Sequence, residues 1–320
     1  MIELSVVIPC FNEAANVEEV HRRVTEICSP LVEDYEIILV DDGSQDDTLS
    51  ALRRLVEADP HVRALSFSRN FGHQAALTAG IDHASGRAVV VMDADLQHPP
   101  ELIATFVEKW REGYEVVYAY RQKGRPRLGY RMFNWLMSTE IPVEAADFRL
   151  TDRKVVDAFG QMQERSRFLR GMLAWLGFKQ IGIPYDDAER FAGQRAYTIR
   201  QTLSMAFHAI LSFSRVPLRI TSVMGTVTLL LGLLYALFIL YSKFIGGQTI
   251  EGWTSTMIVV LVLGGIQLLS LGIIAEYIGQ IYEETKGRPV YVLSCKLGFD
   301  RPAASHGSAR ANPPGTDAQT

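Results

Sequence analysis

Ile37-Ile38-Leu39-Val40-Asp41-Asp42-Gly43-Ser44 and Val89-Val90-Val91-Met92-Asp93-Ala94-Asp95 share one pattern: a short apolar run that stops at carboxylates. A run of that length, rich in β-branched residues, predicts a strand buried on both faces of a parallel sheet. The acids then fall at its C-terminal edge, where open α/β sheets bind ligands. Asp93 and Asp95, one residue apart, have the spacing to share a divalent cation, and such a cation clamps a diphosphate. Two long uncharged segments follow later in the chain. The pattern implies phosphate chemistry carried out at a membrane.

Working outward, residues 1 to about 120 alternate strand and helix patterns. The predicted strands are Leu4–Ile8, Glu36–Val40, Ala64–Phe67, Ala88–Met92 and Val116–Tyr118, with helices near 15–28, 46–58, 73–84 and 100–111. Asp46 and Asp47 suit the start of the second helix, and Pro99-Pro100 the first turn of the fourth. This alternation predicts an α/β fold: a doubly wound, mostly parallel sheet with right-handed crossovers. Pro9-Cys10-Phe11-Asn12-Glu13 follows the first strand in place of a Gly-x-Gly-x-x-Gly turn, which disfavours a dinucleotide fold. Beyond residue 121 the expectation is helices around 152–162 and 166–176 and a strand around Gln180–Ile183. An amphipathic helix over 199–215 reads equally as a core-facing helix or an interfacial one; its place before the apolar segments favours the interface.

The chain has 320 residues, is 48% hydrophobic and carries a net charge of −4, which argues against nucleic acid as a partner. Cys10, Cys28 and Cys295 lack metal-binding or redox spacing and read as reduced. Met1-Ile2-Glu3 lacks a basic leader, so the catalytic part is expected to stay in the cytoplasm. No charge occurs between Arg219 and Lys243, or between Glu251 and Glu276. About 20 apolar residues span a bilayer, so 216–282 is expected to form two transmembrane helices. Arg215 and Arg219 precede the pair, Lys286, Arg288 and Lys296 follow it, and Lys243 is the one basic residue of the linker. The positive-inside bias places both termini in the cytoplasm, in a multi-pass protein of the inner membrane. Residues 1–198 form the expected head domain, 283–300 a cytoplasmic C-terminal segment, and 301–320 a disordered tail.

Single motifs admit plainer readings. An Asp-x-Asp pair also arises as a helix cap. Its position after a strand, beside a second acidic turn, favours a metal, Mg²⁺ or Mn²⁺. Asp41-Asp42-Gly43-Ser44 reads either as a capping turn, with Ser44 and Asp47 resembling a capping box, or as a carboxylate that accepts an N–H from a nucleobase. His73, His83 and His98 have no metal-ligand spacing, and His98 reads as a surface or capping residue. Trp110, Trp135 and Trp175 read as packing residues and Trp253 as an interfacial anchor.

The ordered motifs SVVIPCFNE, VDDGSQDDT, SRNFGHQAALTAG, MDADLQHPPELI and ADFRLTDRKVV resemble those of the large inverting, A-type nucleotide-sugar glycosyltransferases. Within that family the chain is most similar to the polyprenyl-phosphate glycosyltransferases, over about residues 3–290. The resemblance implies that Pro9, Asn12, Glu13, Asp41 and Asp42 line a nucleotide site. It implies that Asp93 approaches the ribose and diphosphate, that Asp95 with Asp93 holds the metal, and that Gln97 serves the acceptor side or the metal. Asp147 takes the place of the family's catalytic carboxylate, and Arg121, Arg149 and Arg190 are expected near phosphates. Ala146 stands where relatives carry Gly, and the stretch between Arg121 and Ile141 looks shorter than in most relatives.

The implied reaction moves one sugar from a nucleotide donor to polyprenyl phosphate, with UDP-glucose the first choice. UDP-N-acetylglucosamine, GDP-mannose and modified sugars stay open, and homo-oligomerisation is plausible from the family alone. A processive polysaccharide synthase is disfavoured because the chain lacks a Gln-x-x-Arg-Trp motif and has only two spans. A sugar-nucleotide-binding scaffold without catalysis is disfavoured by the joint presence of Asp42, Asp93, Asp95 and Asp147.

Overall fold

Val6, Val7 and Ile8 are fully buried, as are Ile37, Ile38 and Leu39, so consecutive side chains on both strands are covered from either side. Only a sheet with helices on both faces buries such runs, each fully buried Val, Leu or Ile contributing roughly 1.5–3 kcal/mol. The computed structural model describes residues 2–121, 145–165, 167–185, 216–244 and 252–300. Its first part runs β1 (Leu4–Cys10), α1 (Val17–Leu31), β2 (Tyr35–Asp41), α2 (Thr48–Ala58), β3 (Val62–Phe67), α3 (His73–His83), β4 (Ala88–Val91), α4 (Leu102–Arg111) and β5 (Val116–Arg121). The order continues with β6 (Ala145–Asp152), α5 (Arg153–Gly160), α6 (Leu169–Trp175), β7 (Gln180–Tyr185), α7 (Val216–Phe244), α8 (Trp253–Thr285) and β8 (Leu293–Leu297).

The eight strands form one sheet in the order β7-β5-β6-β4-β1-β2-β3-β8. The β1–β2, β1–β4, β2–β3 and β5–β7 pairs are parallel. Strand β6 runs antiparallel to both β4 and β5, and β8 antiparallel to β3. Helices α1, α2 and α4 cover one face, packing on Val6, Ile8, Leu39 and Val90. Helices α3, α5 and α6 cover the other, on Val7, Ile38, Val89 and Val91. A side chain at Gly80 of α3 would meet Val7 Cγ1 at 2.1 Å, so that helix lies directly on β1. Pro9 costs no ladder bond. The Val7 carbonyl faces β4, so by alternation the Pro9 nitrogen does too, and β4 pairing stops at Val7.

Two strands were not anticipated from sequence. Residues 145–152 are a central strand, β6, and the segment after α8 returns to the sheet as β8. There Ser68 N–H donates to the Val292 carbonyl at 3.0 Å, and the Tyr291 ring stacks on Phe67 at 5.3 Å. This closes the β3 edge, which would otherwise present unpaired backbone groups. The Ser44–Asp47 capping box does not form: Ser44 Oγ accepts from Asn12 N–H instead. Trp175 is 64% exposed and does not pack in the core. Trp110 is held by a 2.7 Å bond from its Nε1–H to Asp152.

Helices α7 and α8 have 29 and 33 residues. At ~1.5 Å per residue they are about 44 and 50 Å long, more than a ~30 Å hydrocarbon core requires. Leu218–Tyr235 and Val262–Thr285 are long and apolar enough to cross a membrane, and almost none of their surface is buried within the chain. Side chains placed at Gly264, Gly265 or Gly272 would meet nothing within 4 Å among the described residues, so these glycines do not mediate close packing of α8 on α7. The expected interfacial helix at 199–215, Trp135, Arg190 and the tail from Arg301 lie outside the described residues.

One buried charge ties the far edge of the sheet together. Glu36 on β2 is 1% exposed and accepts from Ser5 Oγ and from Ser85 N–H, both at 2.6 Å, while Arg63 Nη1 of β3 lies 2.5 Å from its other oxygen. Removing one partner of such a pair strands the other charge. Glu36→Ala is expected to destabilise the protein by about 3–5 kcal/mol, read as a lowered midpoint in chemical or thermal unfolding; an unchanged midpoint would contradict this role.

Candidate active site

The C-terminal ends of β1, β2 and β4 lie side by side, and the loops leaving them are laced together. Asn12 takes a left-handed conformation (φ 56°), and its side-chain oxygen accepts from Gln45 N–H at 2.9 Å. Glu13 N–H donates to Thr48 Oγ1 at 2.9 Å. Asp41 is buried; its oxygens accept from Ser44 N–H at 2.9 Å and Ser66 Oγ at 2.8 Å, which makes it a brace for the turn. Asp42 reaches across to the loop after β3, accepting from Phe71 N–H at 2.7 Å and Gly72 N–H at 3.0 Å. Burial raises the Asp42 pKa, against the opposing pull of those two N–H groups. Gly43 makes this possible. Its φ is +68°, and a side chain there would lie 2.4 Å from the Arg69 carbonyl carbon.

Asp93 and Asp95 leave β4 through a turn in which Leu96 adopts φ 58°. That conformation is costly for a branched side chain, and burial of Leu96 at 3% exposure offsets the cost. Asp95 Oδ1 accepts from Gln97 N–H at 3.1 Å, an Asx turn that fixes both residues. Asp93, Asp95 and Gln97 are all partly exposed.

The register of β6 decides where Asp147 goes. Val91 pairs with Arg149 and Ala88 with Asp152, antiparallel. Continuing that register past Val91 sets Asp93 opposite Asp147. Alternation puts Asp147 and Arg149 on the face covered by α3 and α6. From α3, His73 Nε2 stands 3.6 Å from Asp93 Oδ1 and 3.6 Å from Asp147 Oδ2. From α6, Arg170 donates through Nε to Asp147 Oδ1 at 2.7 Å and through Nη2 to Oδ2 at 2.9 Å. Arg149 Nη2 is 3.9 Å from Asp147 Oδ1 and donates to the Ala146 carbonyl at 2.8 Å.

These charges set one another's protonation. Burial pushes the Asp147 pKa up, but Arg170, then His73 and Arg149, outweigh it and hold the carboxyl well below its ordinary range. Burial lowers the Arg149 guanidinium to about 10, with Asp147 opposing and Arg170 reinforcing. For His73 burial alone would lower the pKa; the carboxylates of Asp147 and Asp93 prevail and raise it.

The structure thus gathers Pro9, Asn12, Glu13, Asp41, Asp42, Asp93, Asp95, Gln97, Asp147 and Arg149 along one edge. Four neighbouring strands, β2-β1-β4-β6, carry them across about 14 Å at ~4.8 Å per strand. Arg121 ends β5 on the same edge, with its side chain outside the described set, as is Arg190. His73 and Arg170 were missed by sequence reasoning, and His98 was misjudged. His98 is 4% exposed, stacks on Phe148 at 5.4 Å, and sets Nδ1 3.5 Å from Asp93 Oδ2. The one available signal was that both histidines flank motifs: His73 begins α3 directly after Gly72, and His98 follows the acidic turn. Among the described residues no group of three His, Cys, Asp or Glu side chains could hold a metal; an ion here would have to be held by Asp93 and Asp95 as a two-carboxylate pair. That donor set suits Mg²⁺ or Mn²⁺ completed by phosphate oxygens.

The fold is thus a doubly wound, mostly parallel sheet with carboxylates at this edge and an antiparallel strand inserted beside them. Residues 5–169 match glycosyl transferase family 2 and residues 216–281 match the GtrB C-terminal hairpin; the chain belongs to glycosyl transferase family 2 and is a glycosyltransferase. It is 42% identical over 308 residues to an uncharacterized glycosyltransferase of Bacillus subtilis, covering 93% of this chain and 95% of the relative. It is 36% identical over 301 residues to the bactoprenol glucosyl transferase of Shigella phage SfII, covering 91% and 97%. Among solved structures, glucosyl-3-phosphoglycerate synthase from Mycobacterium tuberculosis is 21% identical with a TM-score of 0.45, over 66% of this chain and 78% of that one.

Two predictions follow from this geometry. Gly43→Ala is expected to cost about 1–3 kcal/mol of stability, because a side chain there displaces the Arg69–Gly72 loop that carries the donors to Asp42; a lowered unfolding midpoint checks it. For His73, a raised folded-state pKa means that bound proton stabilises the fold. The contribution is complete below the ordinary value near ~6.5 and is lost as pH rises through the raised value. Unfolding midpoints measured across neutral pH should therefore decline on the alkaline side in the native protein, with that component missing in His73→Gln.

Proposed function

We propose that this protein transfers a single sugar, with UDP-glucose as first choice of donor, to polyprenyl phosphate at the cytoplasmic face of the inner membrane. The observation that carries the reading is the meeting of Asp93, Asp95 and Asp147 on one sheet edge. The relative named as a bactoprenol glucosyl transferase, aligned over 91% of this chain, supports a lipid acceptor. Two apolar helices joined to the sheet support a site held close to lipid headgroups. The basic residues that flank the pair, Arg219 before it and Lys286 and Arg288 after it, favour both ends on the cytoplasmic side.

In this reading Asn12, Glu13 and Asp42 receive the nucleotide, and Asp93 and Asp95 hold Mg²⁺ or Mn²⁺ with the diphosphate. When bound, that ion supplies neutralising charge for the leaving group. The acceptor is a phosphate monoester whose second pKa is about 6, so it arrives largely ionised and needs no strong base. Asp147, already ionised and hydrogen-bonded to Arg170, is suited to position the sugar or acceptor and poorly suited to take a proton. Attack from the face opposite the leaving nucleotide inverts the anomeric centre.

The test is sugar transfer by full-length protein in liposomes containing polyprenyl phosphate, with labelled nucleotide sugars. Label is expected to enter the lipid phase from one donor, to stop on chelation and to return with Mn²⁺ or Mg²⁺. Asp95→Ala is expected to lose several kcal/mol of transition-state stabilisation, roughly 10²-fold or more in rate. Transfer that persists after chelation would overturn the metal assignment, and donor turnover with no lipid product would overturn the acceptor.

A further inference from the structure

Arg170 stands on α6, and its guanidinium engages both oxygens of Asp147 at 2.7 and 2.9 Å. A planar fork on a carboxylate fixes its orientation as well as its charge. Asp147 needs such a partner: its side chain is 10% exposed, and a buried carboxylate without a hydrogen-bonded counter-charge is strongly disfavoured. Among the described residues, the other charged groups facing it stand further off. His73 of α3 is at 3.6 Å and Arg149 of β6 at 3.9 Å, beyond hydrogen-bond length, and Arg149 already donates to Ala146.

The platform under Arg170 is rigid. Leu169, Met172 and Leu173 are buried against the sheet. Leu169 N–H donates to Gln74 Oε1 at 3.0 Å, which pins the start of α6 to the residue next to His73. Gln180 Nε2 donates to the Leu173 carbonyl at 3.1 Å, which pins its far end to β7. A displacement of α6 therefore moves the carboxylate that faces Asp93.

We propose that Arg170 is a positioning residue for sugar transfer: its fork locks Asp147 in a fixed, ionised orientation, and Arg170 acts through Asp147 instead of on substrate. The inference rests on the reading that Asp147 works in the transfer step. It is tested in reconstituted full-length protein by kcat and donor KM for the native chain, Arg170→Lys, Arg170→Gln, Asp147→Asn and the Arg170→Gln/Asp147→Asn double variant. Binding of UDP with Mn²⁺ is measured alongside by calorimetry.

Arg170→Gln is expected to lower kcat roughly 10²-fold, the scale of a misplaced reacting group, with donor KM and UDP affinity held within about twofold. Arg170→Lys, which keeps the charge and loses the fork, is expected to recover part of the rate and not all of it. The double variant is expected to be no slower than Asp147→Asn alone, since a residue acting through another adds nothing once that other is gone. A further loss of about tenfold or more in the double variant, or a raised KM with kcat unchanged, would show Arg170 acting on substrate and overturn the inference. Should Arg170→Gln fail to fold, Arg170→Lys in both backgrounds carries the same comparison. A native chain that transfers no sugar to lipid defeats the proposed function; native turnover with full activity in Arg170→Gln defeats this inference alone.

Discussion

The antiparallel pairing of β6 with β4 is the constraint on which the site depends. In a wholly parallel sheet every strand would deliver its C-terminal acids to the edge and nothing would arrive from the opposite direction. By running the other way, β6 brings the start of a strand to the place where β4 ends, and its register sets Asp147 against Asp93. Alternation along the strand then sends Ala146, Phe148 and Leu150 into the core beneath α4, and Asp147 and Arg149 toward α3 and α6. A slip of one residue would exchange those faces, burying the carboxylate among apolar side chains. The hydrophobic pattern of β6 therefore protects the chemistry of its polar face.

Concentrating carboxylates in this way is unfavourable until cations answer them. Like charges at short range resist joint ionisation, and burial raises the cost. The fold supplies Arg170 from one helix, His73 from another and Arg149 from the strand itself, and the outcome for Asp147 is a pKa well below its ordinary range. Asp93 is left partly exposed between His73 and His98. The two carboxylates that face each other thus differ in environment, one neutralised within the protein and one open to a ligand. That division gives two aspartates distinct environments without any difference in residue type.

The apolar helix pair α7–α8 is integrated with the sheet through more than chain connectivity. After α8 the chain pairs with β3 as β8, and the bond from Ser68 N–H to Val292 lies just before the loop whose Phe71 and Gly72 N–H groups hold Asp42. Glu284, near the end of α8, accepts from Arg165 N–H at 3.0 Å, in the segment that leads into α6. Both ends of the polar edge, the Asp42 loop and the Arg170 helix, thus have short covalent paths to residues anchored by the hairpin. Backbone pairing makes this attachment stiff where side-chain ion pairs on the surface would be weak.

Much of this was legible in sequence, for identifiable reasons. Strands β1 to β5 and β7 announced themselves as apolar runs, and the acids of Asp41-Asp42 and Asp93-Ala94-Asp95 marked their ends, because each signal is contained within about ten residues. The two apolar helices were equally local. Strand β6 carries a similar alternation in Ala146, Phe148 and Leu150, but the acid and arginine between them break the apolar run that marks the other strands. His98 reads as a surface or capping residue in sequence because nothing near it there shows Phe148 stacking on its ring.

By itself, then, the sequence determined the doubly wound head, the acids at its edge and the apolar pair that follows, since periodicity and turn chemistry are short-range properties. Tertiary structure alone decided which charges meet. Arg170 reaches Asp147 over 23 residues, and His73 stands between Asp93 and Asp147 only because β6 enters the sheet beside β4. Strand order and register are settled by the packing of both faces at once, and no local pattern encodes them.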